Sequence, residues 1–176
     1  MPKLTREEFI VRLKQIKLLA LDVDGVLTDD CIYFGPDGFE VKRFSISDGL
    51  YMRLAMRAGL QLAVVSGRYS VATESRMRDL GVPHVLQDMK DKVMQIEPLL
   101  EKLRIKYEDI AFIGNEILDL TLAQRVALPI AVADSVPELL QIALFVTQNK
   151  GGHGAVREVL ELYFEAVGKD PKTFLL

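Results

Sequence analysis

Six short apolar runs, at residues 17–21, 60–65, 84–86, 110–113, 128–132 and 143–146, alternate with longer segments whose apolar positions recur at helical spacing. Runs that are apolar throughout, rather than at every second residue, are what strands buried on both faces look like, and strands joined by crossover helices pair in parallel. The expected fold is therefore α/β, a parallel sheet with helices over 6–15, 48–57, 71–80, 90–103, 118–126 and 155–166. Glycine and proline punctuate the boundaries. With 176 residues, 49% of them hydrophobic, the chain has material for one sizeable core, so 1–176 is expected to form a single domain.

One stretch breaks the alternation. Residues 31–44 hold two extended runs around Pro36-Asp37-Gly38, the composition of a β-hairpin turn. The hairpin is expected to protrude just after the first strand. Its aromatic and β-branched residues suit either a flap over a site or a contact with another subunit.

Bulk properties exclude several roles. A net charge of -3 gives no general field for nucleic acid, so any attraction for anions must be local. Cys31 is the only cysteine, which rules out an internal disulfide and a multi-cysteine zinc site and suggests a reducing compartment. Charges interrupt the apolar positions of the first 17 residues, and no run approaches the roughly 18 apolar residues of a membrane span. The expectation is a cytoplasmic protein with neither nucleic-acid nor membrane partners.

The strongest chemical signal is Asp22-Val-Asp24-Gly25-Val-Leu-Thr28-Asp29, leaving the carboxyl end of the first strand. Open α/β sheets bind ligands at that edge. If the chain stays extended past Asp22, residues 22 and 24 point the same way and can share a hard cation, while Gly25 permits a sharp turn. Two aspartates and a glycine are equally the residues of an ordinary turn. A calcium loop of the EF-hand kind is disfavoured, because the twelfth position counted from Asp22 is Tyr33 rather than glutamate. Three further segments follow candidate strands in order. Ser66-Gly67-Arg68 offers a hydroxyl, a free amide and a guanidinium to an anion. Asp91-Lys92 puts a lysine at a helix start, where it is electrostatically misplaced unless an anion lies nearby. Gly114-Asn115-Glu116-Ile-Leu-Asp119 gathers oxygen-bearing side chains that could also be helix caps.

Taken together and in this order, the segments resemble the four motifs of the haloacid dehalogenase phosphatases, over nearly the whole chain. The segments Phe44-Ser-Ile-Ser-Asp48-Gly49, Arg76-x-x-x-Leu-Gly and Gly151-Gly-His-Gly-Ala-Val-Arg157-Glu158 are similar to the capless branch that contains the 3-deoxy-D-manno-octulosonate 8-phosphate phosphatases. The resemblance implies a Rossmann-like sheet with helices on both faces, no large cap, and Mg²⁺ as cofactor. It implies Asp22 as a nucleophile that becomes an aspartyl phosphate, and Asp24 as the acid and base. The metal would be held by Asp22, the backbone carbonyl of Asp24 and Asn115. Ser66, Gly67 and Lys92 would bind the phosphoryl group, while Arg68, Arg76, Arg157 and Asp48 would serve the rest of the substrate. That substrate is implied to be a phosphorylated 3-deoxy-2-ulosonic acid, the octulosonate 8-phosphate first and a nine-carbon analogue second.

The resemblance further implies a homotetramer in which a neighbour's hairpin and carboxyl-terminal segment close each site. Asn115 departs from the pattern, because those phosphatases usually carry aspartate there. The Gly-Asn-Glu run instead resembles the phosphatase-like domain of sialic-acid cytidylyltransferases. A broad-specificity phosphatase and a weakly active or non-catalytic assembly domain therefore stay open. The order of motifs fits a response-regulator receiver badly.

Overall fold

The computed structural model describes residues 2–175. Six parallel strands form one sheet: β1 (Leu18–Leu21), β4 (Gln61–Val65), β5 (His84–Leu86), β6 (Ile110–Gly114), β7 (Leu128–Ala131) and β8 (Phe145–Val146). Their order is β5-β4-β1-β6-β7-β8. From β1 the chain builds outward through β4 and β5, then crosses back and continues through β6, β7 and β8 on the other side. The reversal lies between β1 and β6, where connections leave in opposite directions and open a crevice at the carboxyl ends of the strands. All six strands fall on the runs expected from sequence, and five of the six helices expected do so with small shifts at their ends.

Alternate strand residues feed two apolar clusters. Leu19, Leu21, Leu62, Val64, Ile113 and Ile130 face α1 (Arg6–Leu13), α2 (Ile46–Arg57), α3 (Val71–Leu80) and α7 (Ala155–Val167). Leu18, Ala20, Ala63, Val65, Ile110 and Phe112 face α4 (Lys92–Leu103), α5 (Leu120–Ala123) and α6 (Pro137–Ile142). A sheet covered on both faces needs apolar residues at every strand position, which is why the runs lack a polar alternation. Local caps fix the helix ends. Thr5 and Glu8 form a capping box on α1, Ser70 caps α3, and Gly81 ends α3 at φ 73°, a left-handed conformation that favours glycine.

The hairpin is present but shorter than expected. Strands β2 (Tyr33–Phe34) and β3 (Glu40–Val41) pair antiparallel, with Tyr33 opposite Val41 and Phe34 opposite Glu40. Asp37 (φ 63°) and Gly38 (φ 76°) supply two consecutive left-handed residues for the turn. The bridge between Thr28 and Phe44 fastens its base to the loop after β1. The carboxyl-terminal segment turns back on its own chain: Lys169 donates to the Ala58 carbonyl at 2.8 Å, and Arg57 to that of Phe174 at 2.8 Å. Among the described residues, no helix is long and apolar enough to cross a membrane.

Candidate active site

The crevice at the switch point collects the motif residues because each follows a strand end. Asp22 continues β1, and its backbone N–H donates to the Ile113 carbonyl of β6 at 3.0 Å. The chain then turns sharply: the N–H groups of Val26, Leu27 and Thr28 all reach the Val23 carbonyl. Gly25 sits at φ 78°, and a Cβ there would fall 1.8 Å from the Asn115 side chain. Glycine is thus required twice, for the turn and for the approach of Asn115.

Lys92, the first residue of α4, projects into the crevice. Its ammonium lies 2.6 Å from Asp22 Oδ1 and 2.5 Å from Asp119 Oδ1, with only 2% of the side chain exposed. The other oxygen of Asp119 accepts the N–H groups of Asn115 (2.7 Å) and Glu116 (3.0 Å), so this carboxylate anchors both the lysine and the loop after β6. Gly114 makes room for it, since a Cβ there would lie 2.5 Å from Asp119 Oδ2. Burial pushes the Asp22 carboxyl up to about 7 from 3.8, against the lowering pull of Lys92, and the charge of Asp119 adds to the rise. For Lys92, burial alone would lower the pKa, but attraction to Asp22 and Asp119 outweighs it and the net shift is upward. A misplaced lysine at a helix start is therefore explained by two buried anions. Ser66 directly follows β4, its hydroxyl engaged with the backbone of Arg68.

A second set of charges surrounds Asp24. Lys42 bonds its Oδ1, and Arg68 lies 3.7 Å from its Oδ2. Glu40 binds Arg68, accepts from Ser70 at 2.7 Å and lies 3.7 Å from Lys42. Burial would raise the Glu40 carboxyl, but Ser70, Lys42 and Arg68 together bring it below the ordinary value. Lys42 and Glu40 were missed from sequence. The available signal was their alternation, residues 40 and 42, within an otherwise apolar hairpin strand.

Three residues expected on the substrate side stand elsewhere. Asp48 is 1% exposed, and its carboxylate accepts the N–H groups of Gly154 (3.2 Å) and Arg157 (2.7 Å). Its place in this structure is as the cap of α7, a helix whose own preceding residue, Gly154, has no side chain to do so. Burial raises its pKa despite those bonds. Arg157 pairs with Glu161 at 2.7 Å and lies over the Tyr51 ring, lining a cavity of about 570 Å³ with Arg6, His153 and Glu158. Arg76 pairs with Asp79 at 2.9 Å. Neither arginine touches the Asp22 or Asp24 groups.

Oxygen donors suited to a hard cation converge on the crevice. Asn115 Oδ1 is buried without a hydrogen-bond partner, beside the turn carrying Asp22 and Asp24. An orphaned amide oxygen costs about 1–3 kcal/mol unless a donor or cation meets it. No cluster of three or more His, Cys, Asp or Glu suited to a metal occurs among the described residues. A mixed set of one carboxylate, one backbone carbonyl and one amide suits magnesium, which keeps several waters.

Known proteins place this arrangement. A family described as haloacid dehalogenase-like hydrolase matches residues 84–160. The 3-deoxy-D-manno-octulosonate 8-phosphate phosphatase of Escherichia coli (strain K12) is 41% identical over 162 residues, covering 92% of this chain and 86% of that protein. A structure described as a putative phosphatase of the same kind from Vibrio cholerae has a TM-score of 0.89 at 42% identity, covering 92% of this chain and 90% of that one. The Moraxella catarrhalis phosphatase, solved with a magnesium ion, a phosphate ion and the sugar acid, has a TM-score of 0.89 at 34% identity, covering 92% and 93%. By this extent of identity, and by the ordered motifs now seen around one crevice, the chain belongs to the haloacid dehalogenase-like hydrolases, in the family of the 3-deoxy-D-manno-octulosonate 8-phosphate phosphatases.

Proposed function

We propose that the chain, as a single hydrolase domain, is a phosphomonoesterase for phosphorylated 3-deoxy-2-ulosonic acids, with octulosonate 8-phosphate the preferred substrate and a nine-carbon 9-phosphate the second. The observation that carries this reading is the Asp22 carboxylate at the switch-point rim, 2.6 Å from a buried lysine. A carboxylate held in place beside a cation can meet an anionic phosphoryl group, which a free one would repel.

In the proposed sequence Asp22 attacks phosphorus, and the bond from phosphorus to the sugar oxygen breaks. Asp24 gives its proton to that oxygen, so the sugar leaves as a neutral alcohol. Water then attacks the phosphorus of the aspartyl phosphate while Asp24 takes a proton from it. Inorganic phosphate departs, and Asp22 and Asp24 return to their starting states. Ser66, the amide of Gly67 and Lys92 bind the phosphoryl oxygens, the last as a point charge. Asp22, the Asp24 carbonyl and Asn115 would hold magnesium, which when bound offsets charge on the phosphoryl group. Arg68 is the guanidinium best placed for the sugar-acid carboxylate, since it flanks Asp24 and remains 43% exposed at its side chain.

The hairpin supports assembly into a homotetramer. Tyr33, Phe39 and Val41 expose apolar surface on its outer face, as a subunit contact requires. One observation favours a second reading, a weakly active assembly domain: Asn115 removes a formal charge from the metal ligands.

Hydrolysis of octulosonate 8-phosphate, the nine-carbon analogue and simple phosphosugars, with and without Mg²⁺, tests these readings. Selective, magnesium-dependent turnover is expected. Equal specificity constants across the series would overturn the sugar-acid assignment, and absence of turnover would leave the assembly domain.

A further inference from the structure

We propose that Lys42 is the positioning residue for Asp24, fixing one carboxylate oxygen so that the other faces the leaving sugar oxygen. The proposal rests on the reading of Asp24 as the acid and goes beyond it by assigning the hairpin a part in proton delivery.

The hairpin strand is inverted relative to an ordinary amphipathic ribbon. Phe39 and Val41 are 57% and 41% exposed, whereas Glu40 and Lys42 turn inward. The Lys42 side chain is 1% exposed, although a lysine loses its hydration when buried and is retained only where an anion compensates. Its anion is Asp24 Oδ1. The two oxygens of Asp24 are treated differently: Oδ1 is bonded by Lys42, while Oδ2 has Arg68 at 3.7 Å, beyond hydrogen-bond reach, and stays open toward the rim. Glu40, one residue before Val41, holds Arg68 and Ser70 and keeps the strand against the site. One oxygen fixed and one open is the geometry that a carboxyl needs to hand over a proton in a defined direction.

A lysine that merely neutralises a buried charge would affect every substrate alike. A lysine acting through the acid affects esters according to how much their leaving group needs a proton. Octulosonate 8-phosphate expels an alkoxide, which requires one; p-nitrophenyl phosphate expels a phenolate, which does not. The parameter to read is kcat/KM, since it covers steps only through cleavage of the first ester bond and is blind to slow hydrolysis of the aspartyl phosphate.

Lys42→Met, with its stem volume retained, is expected to lower kcat/KM about 10–100-fold on the sugar phosphate and less than about 3-fold on the aryl phosphate. Combined with Asp24→Asn it should add no further loss, and Lys42→Arg should restore part of the activity. If Lys42→Met does not fold, Lys42→Gln should give the same discrimination at smaller size. Equal losses on both esters, or independent losses in the double variant, would overturn the role of Lys42. Asp24→Asn separates the two claims. Discrimination in Asp24→Asn without discrimination in Lys42→Met removes Lys42 alone; its absence from Asp24→Asn removes Asp24 as the acid, and Lys42 with it.

Discussion

Replacing Lys92 by methionine removes the one cation shared by Asp22 and Asp119 while keeping a similar apolar stem, so packing is largely preserved. The ammonium lies within 2.6 Å of both carboxylates, and Asp119 is fully buried. Removing one partner of a buried pair costs about 3–5 kcal/mol, because the other charge is left uncompensated. Asp119 still accepts two backbone N–H groups, so the stranded charge is chiefly that of Asp22. A loss of about 3–4 kcal/mol is therefore expected once Asp22 is ionised. The carboxyl of Asp22 already stands near 7, raised by burial, and Lys92 acts to lower it. Without Lys92 it rises further. The folded state then binds this proton more tightly than the unfolded chain, so the penalty is present above the folded pKa and shrinks as pH falls through it. Urea unfolding of both proteins in metal-free buffer should show the largest difference at about pH 8.5 and a smaller one at about pH 5.5. A difference below about 1 kcal/mol at the alkaline end, or one independent of pH, would refute the pairing of these charges as the source of stability.

Other consequences are open to similar tests. Asn115→Asp supplies a charged oxygen where a neutral one is orphaned, so calorimetric titration should show Mg²⁺ binding tightened by about tenfold, equivalent to about 1.4 kcal/mol. An unchanged titration would remove residue 115 from the ligand set. Asp48→Ala strips the cap from α7 and should cost about 1–2 kcal/mol in urea unfolding, with little change in KM for the sugar phosphate. A raised KM with stability unchanged would instead place Asp48 on the substrate side.

Residues adjacent in sequence were the legible part of this protein. Asp22, Asp24, Ser66 and Asn115 all lie within three residues of a strand end, so locating the strands located them as well. Partnerships across the chain were not legible. Asp48 looked like a ligand residue because the α7 backbone that occupies its carboxylate is more than a hundred residues away. Lys42 drew no reading, because the carboxylate that holds it, Asp24, lies eighteen residues earlier in the chain. The helix expected over 118–126 is shorter, α5 following a 3₁₀ turn at Ile117–Asp119, because Asp119 is drawn back onto the Asn115 and Glu116 amides. Helix α6, only six residues long and without a side-chain cap, lacked enough turns to register a period.

The central claim is that Asp22 carries the phosphoryl group between two displacements. Acid quenching of the Asp24→Asn variant during turnover of p-nitrophenyl phosphate, followed by peptide mass spectrometry, tests it most directly: the phenolate leaves without a proton, so the first displacement proceeds, while loss of the base slows hydrolysis of the intermediate and lets it accumulate. A phosphoryl group on Asp22, absent from Asp22→Asn, is the predicted result. Turnover that continues in Asp22→Asn, or a phosphoryl group trapped on a different residue, would contradict it.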